Sequence, residues 1–159
     1  MTKRILFVCL GNICRSPAAE AVFLDLLQRK GLDDQYQVDS AGTGGWHVGK
    51  PADLRMRNAA KKRGIMIKSI ARSICSEDFD AFDFILTMDD SNFNEVNFIA
   101  SKLDNKNIAT IKPIMFYSKS KEWSEVPDPY YGGEKGFEEV LDLLNDACTN
   151  FLEVMIMSD

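Results

Sequence analysis

Apolar and polar positions divide this chain into short apolar runs and longer stretches whose apolar residues step at three and four. After two basic residues, "KRILFVCL" is apolar without interruption, the pattern of a strand buried on both faces. Ser16 and Pro17 then offer a cap followed by proline at the first helical position. Ala19, Val22, Phe23, Leu26 and Leu27 share one face of that helix, and Gly31 predicts its end. "YQVDSAGTGG" reads as a second strand breaking into a glycine-rich loop, and "ADLRMRNAAKKRG" as a helix with a basic face, stopped by Gly64. "FDFILTM" is a third buried strand. Asp89, Asp90 and Ser91 start the next helix, whose apolar side is Phe93, Val96, Ile99, Ala100 and Leu103. "IATIKPIMFY" holds a fourth strand with Pro113 at its edge or end, and a long polar loop follows from Tyr117 to Gly133. Phe137, Val140, Leu141, Leu144, Cys148, Phe151, Leu152 and Met155 then mark a long amphipathic helix. Strands alternating with helices predict right-handed crossovers: an α/β, three-layer α/β/α domain around a four-stranded parallel sheet. The loops after the first three strands, starting at Cys9, Ser40 and Asp89, should meet at the rim where such sheets bind ligands.

Length and composition narrow this picture. A chain of 159 residues predicts a single domain, and 45% hydrophobic with 27% charged residues is the balance of a soluble globular protein. The apolar run near the N-terminus stops at Gly11-Asn12 with no small-residue cleavage site behind it, so a buried strand is expected rather than a signal peptide. A cytoplasmic protein follows. The formal net charge of -5, without a long block of one sign, argues against nucleic-acid and membrane partners. An anion site would have to be locally positive. Four cysteines without a Cys-x2-Cys pair, and a single histidine, His47, argue against a disulfide framework and a structural zinc site; no metal and no cofactor are expected. Cys148 falls on an apolar stripe and reads as a packed side chain, whereas Cys75, in "RSICSED", could be packed or reactive.

The chemistry concentrates in "VCLGNICRSPAAE", residues 8–20. Read as strand, turn and helix, the loop can aim backbone N–H groups inward while the helix presents its positive end to the same place. A cysteine in such a field, here Cys9, is favoured as the nucleophilic thiolate. Arg15 can bind two oxygens of a tetrahedral anion through its planar fork. Ser16 can donate to the sulfur, and Asn12 suits a left-handed backbone position. Leu10, Gly11, Asn12, Ile13, Cys14 and Ser16 would thus form a cradle for a phosphate-like dianion with a nucleophile at its floor. The alternative is a cysteine packed at a strand end beside a solvated arginine, and Cys-x5-Arg by itself does not exclude it.

At these residues the chain resembles the low-molecular-weight protein tyrosine phosphatases. "VDSAGTGGWHVG", "FDFILTMDDSN" and "VPDPYYGG" match further stretches of that family in order, so the resemblance covers essentially the whole chain. It implies the flavodoxin-like fold of the family. It implies Cys9 as nucleophile, Arg15 as phosphate clamp, and Asp128 as the general acid that protonates the leaving aryl oxygen and later activates water. Asn12, Ser40 and Asp89 would support the loop, while Leu10, Trp46, His47, Tyr130 and Tyr131 would line the substrate mouth. It further implies a Cys9–Cys14 disulfide on oxidation as a reversible block. Expected partners are phosphotyrosine proteins or peptides, with phosphate, vanadate or sulfate as site anions, acting on a monomer with weak self-association at most. Where mammalian members carry a histidine before "AR", this chain has Ser69, so the network behind Asn12 and Ser40 is expected to run through Ser69 or Asp89. Three rivals remain: an arsenate reductase, which needs redox cysteines around Cys75 that are missing here; an arginine phosphatase, whose loop reads "GNTCRS" where this chain has Ile13; and a phosphate-binding module, which would need neither Cys9 nor Asp128.

Overall fold

A computed structural model describes residues 1–104, 109–120 and 122–159; Ile108 of the expected fourth strand and Lys121 of the polar loop lie outside them. The strands are β1 (Lys3–Cys9), β2 (Tyr36–Gly42), β3 (Phe84–Thr87) and β4 (Thr110–Pro113). The helices are α1 (Arg15–Arg29), α2 (Leu54–Lys61), a single turn α3 (Asp78–Ala81), α4 (Asp90–Ser101) and α5 (Glu134–Met157). All strand pairs are parallel, in the order β2-β1-β3-β4, with Ile5 opposite Val38 on one side and Phe84 on the other. β1 is therefore central, and its apolar run is explained by burial on both faces. Ile5, Phe7 and Cys9 join the core under α1, α2 and α5, while Leu6 and Val8 join Phe79, Ile85 and Val96 on the α3–α4 side. The protein is one three-layer α/β/α domain.

Local sequence explains the ends of these elements. α1 closes as the glycine pattern predicts: Gly31 has a φ of 67°, its N–H bonds to Gln28 O, and Leu32 N–H bonds to Leu27 O. Its start differs from the expectation. The helix begins at Arg15 with Cys14 as cap, so Pro17 sits third; it still falls among the first turn's N–H groups, which lack helical partners, and its missing donor costs nothing. Ser16 is thereby freed from capping. Asp89 caps α4, accepting from Asn92 N–H while Asn92 Oδ1 accepts from Asp89 N–H. β4 ends at Pro113 on the sheet edge, where a missing donor is tolerated, and the chain passes into a 3-10 turn, Ile114–Tyr117. A second 3-10 turn, Asp33–Gln35, and α3 are too short to leave a periodic signature. The switch point of the topology lies at β1, between β2 and β3, and places the loops after β1 and β3 side by side.

Candidate active site

Cys9 is the last residue of β1, and the chain turns sharply after it at Asn12, the one non-glycine residue with positive φ (57°) among the described residues. Asparagine tolerates that conformation, and every polar atom of this side chain is used. Its Oδ1 accepts from Arg72 N–H at 3.0 Å, which fixes the amide so that Nδ2 donates to Ser16 Oγ at 2.8 Å and Ser40 Oγ at 3.0 Å. The Asn12 backbone N–H donates to Cys9 Sγ at 3.3 Å, and Ser16 Oγ lies 3.0 Å from the same sulfur. Because Ser16 accepts from Asn12, its own hydrogen is available to Cys9, with Ala41 O at 3.3 Å as the competing acceptor. Two donors thus converge on the sulfur.

Arg15 enters from the first residue of α1 and is only 3% exposed. Its Nη1 donates to Asp89 Oδ2 at 2.6 Å and to Val126 O at 3.0 Å, and Nη2 lies 3.6 Å from Asp128 Oδ2. Burial works against its charge, but Cys9, Asp89 and Asp128 overcome it and raise its pKa above the ordinary value. Asp89 therefore anchors the arginine from the β3 loop, instead of standing behind Asn12 and Ser40. That rear position belongs to Glu20, which accepts from Ser40 Oγ at 2.6 Å and has Ser69 beside it. Burial pushes the Glu20 carboxyl up to about 7, opposed by the Ser40 hydrogen bond and reinforced by Asp39. Sequence reasoning missed Glu20. Its signal was the spacing of four from Ser16, which puts both on one face of α1.

A cavity of about 380 Å³ is lined by Cys9, Cys14, Arg15 and Asp128. Leu10, Gly11, Ile13, Trp46, His47, Tyr130 and Tyr131 complete its lining. Trp46 is 70% exposed and Tyr131 94%, with Tyr131 edge-on to Tyr130 at 5.0 Å. Two glycines make this closeness possible. A Cβ on Gly42 would lie 2.7 Å from Leu10 O, and one on Gly44 would lie inside the Trp46 ring. Cys14 shares the cavity, but burial, followed by Asp53 and Cys9, drives its pKa far up and keeps it a neutral thiol. Cys75 is exposed and hydrogen-bonded to Asp78, outside the cavity, and Cys148 is fully buried on α5.

A thiol at a strand end, a buried arginine and an aspartate 3.6 Å from that arginine line one small cavity. The family model of the low molecular weight phosphotyrosine protein phosphatases matches residues 4–158. The protein of that name from Rattus norvegicus is 44% identical over 96% of this chain and 95% of its own length. The low molecular weight protein-tyrosine-phosphatase YfkJ of Bacillus subtilis is 42% identical over 93% and 92%. A protein tyrosine phosphatase from Entamoeba histolytica, crystallised with Hepes in the active site, superposes with a TM-score of 0.92 at 44% identity over 99% of both chains. The drosophila arginine phosphatase DARP superposes at 0.93 with 35% identity, over 98% of this chain and 99% of its own. The chain belongs to the low molecular weight phosphotyrosine protein phosphatase family and is a phosphatase.

Proposed function

We propose that this protein hydrolyses phosphotyrosine in proteins and small aryl phosphates through a phosphocysteine intermediate. The observation that carries the reading is the convergence of Asn12 N–H and Ser16 Oγ on Cys9 Sγ, beneath an arginine that faces Asp128. Donors aimed at a sulfur favour the anion that attacks. The substrate's phosphoryl oxygens bind Arg15 and the backbone N–H groups of the loop, and its ester oxygen faces Asp128. Cys9 attacks phosphorus in line, the P–O(aryl) bond breaks, and Asp128 gives its proton to the leaving oxygen. The same carboxylate then takes a proton from water as the water attacks phosphocysteine, releasing phosphate and restoring the thiolate. Arg15 and the loop carry the phosphate charge, so no metal is asked to.

Trp46, Tyr130 and Tyr131 line the cavity with aromatic surface that suits a phenyl ring better than a seryl methylene. Ile13, where the notional arginine phosphatase loop has threonine, lines the cavity and favours the aryl substrate. Oxidation would join Cys9 to Cys14, both in the cavity, as a reversible block. All four cysteines are free, and among the described residues no helix is long and apolar enough to cross a membrane. The test is turnover of p-nitrophenyl phosphate. Cys9→Ser should abolish it, and Asp128→Ala should lower kcat/KM by on the order of 10²-fold. An active Cys9→Ser enzyme would exclude the mechanism. Phosphotyrosyl, phosphoseryl and phosphoarginyl peptides then rank the substrates, with phosphotyrosine expected first.

A further inference from the structure

We propose that Arg55, on α2, is a positioning residue for the acid loop, acting on Asp128 through the Tyr130 backbone. The inference rests on the reading of Asp128 as general acid. Arg55 Nη2 donates to Tyr130 O at 2.9 Å, and its guanidinium lies between two rings, 5.4 Å from Tyr130 and 4.8 Å from Phe137. Among the described residues that bond is the one hydrogen bond joining residues 128–131 to another element. The other two, Tyr130 N–H to Asp128 Oδ1 and Gly132 N–H to Pro129 O, lie within the loop. On the other side of Asp128 the chain is held at Val126, by Met88 O at 2.8 Å and by Arg15 at 3.0 Å. Arg55 supplies a further point of attachment, fixing the Tyr130 backbone beside the buried Pro129 and the Arg15–Asp128 ion pair.

The anchor is itself tied to the phosphate cradle. Asp53 N–H donates to Ile13 O at 2.8 Å, and the Asp53 carboxylate accepts a bidentate pair from Arg55, at 3.1 and 2.9 Å. Asp53 also caps α2 by accepting from Arg55 N–H, so its carboxylate has one place to be. A continuous path runs from Ile13 through Asp53 and Arg55 to Tyr130, whose N–H bonds the Asp128 carboxylate. It joins the loop that attacks to the loop that protonates. A lysine carries the charge but has no fork, so it cannot hold Asp53 with two parallel bonds and Tyr130 with a third.

General-acid help matters most when the leaving oxygen is a poor leaving group. The test measures kcat/KM for p-nitrophenyl phosphate, which releases an acidic phenol, and phenyl phosphate, which releases one as weakly acidic as tyrosine. Arg55→Ala should lower the second by about tenfold and the first by less than about threefold. Arg55→Lys should fall between it and the wild type, and keeps the test alive if the alanine variant folds poorly. Combined with Asp128→Ala, the loss caused by Arg55→Ala should shrink below about twofold, since the acid it positions is gone. Equal losses with both substrates, or an undiminished loss in the Asp128→Ala background, would overturn the proposal while leaving Asp128 as the acid. If Asp128→Ala alone lowers both substrates equally, the reading of Asp128 fails and the role of Arg55 with it.

Discussion

At the scale of single residues, Glu20 has the most to say about how the loop is held. Its carboxyl receives the Ser40 hydroxyl, Ser40 receives Asn12, and Asn12 reaches both Ser16 and the sulfur-facing turn. Arg72 and Ser40 favour its charge, while burial and Asp39 oppose it more strongly. Its pKa thus rises from an ordinary 4.5 to about 7 in the folded chain. Between those values the folded protein holds more protons than the unfolded one, so stability falls as pH rises through that window. The full effect is at most about 3 kcal/mol. Glu20→Gln keeps an acceptor for Ser40 and should remove this slope: urea midpoints at pH 5 and pH 8 should converge relative to wild type. Parallel pH dependence in the two proteins would mean that Glu20 titrates as an ordinary surface carboxylate. Cys9, Arg15, Asn12 and Ser16 were legible in sequence because one contiguous motif carries them. Glu20, Arg55 and Arg72 were not, because each contributes through a partner that only the fold brings near. Asp89 was legible as a residue but not in its bond, since a helix cap and an arginine anchor look alike in one dimension.

At the scale of elements, the site depends on backbones passing closer than side chains allow. Gly42, the last residue of β2, lies against Leu10 O and the Asn12 N–H, both backbone groups that cannot swing aside. Gly42→Ala should displace the cradle, raising KM for p-nitrophenyl phosphate severalfold and lowering Tm; an unchanged KM would show that the loop yields at no cost. The packing beneath is centred on α5, where Phe151 is fully buried and its ring meets Phe23, Phe84 and Tyr117 at 5.6, 5.4 and 4.9 Å. Phe151→Ala should cost about 3–5 kcal/mol in a denaturant titration, from lost burial and the cavity left behind. The strands and long helices followed from the period of their apolar positions. α3 and the 3-10 turns did not, because a single turn has no period to read. The start of α1 shifted from Pro17 to Arg15, and its cap from Ser16 to Cys14, because the serine's hydroxyl serves Cys9 rather than the helix.

At the scale of the whole molecule, a chain of net charge -5 buries one arginine, paired with Asp89, at the switch point of its sheet. Cys9 ends β1, Asp89 anchors Arg15 from the loop after β3, and Asp128 comes from the segment before α5, with Cys9, Arg15 and Asp128 as the three groups the proposed mechanism uses. One small cavity collects all three. The proposed mechanism turns on a covalent bond between phosphorus and Cys9 Sγ. Rapid acid quench during turnover of p-nitrophenyl phosphate, followed by mass spectrometry of the peptide carrying residues 4–15, measures it directly. One added phosphoryl group on Cys9 is expected, accumulating further in Asp128→Ala when an activated aryl phosphate is used, and absent from Cys9→Ser. Turnover at the normal rate with no phosphoryl group on Cys9, or with the group on another residue, would contradict it.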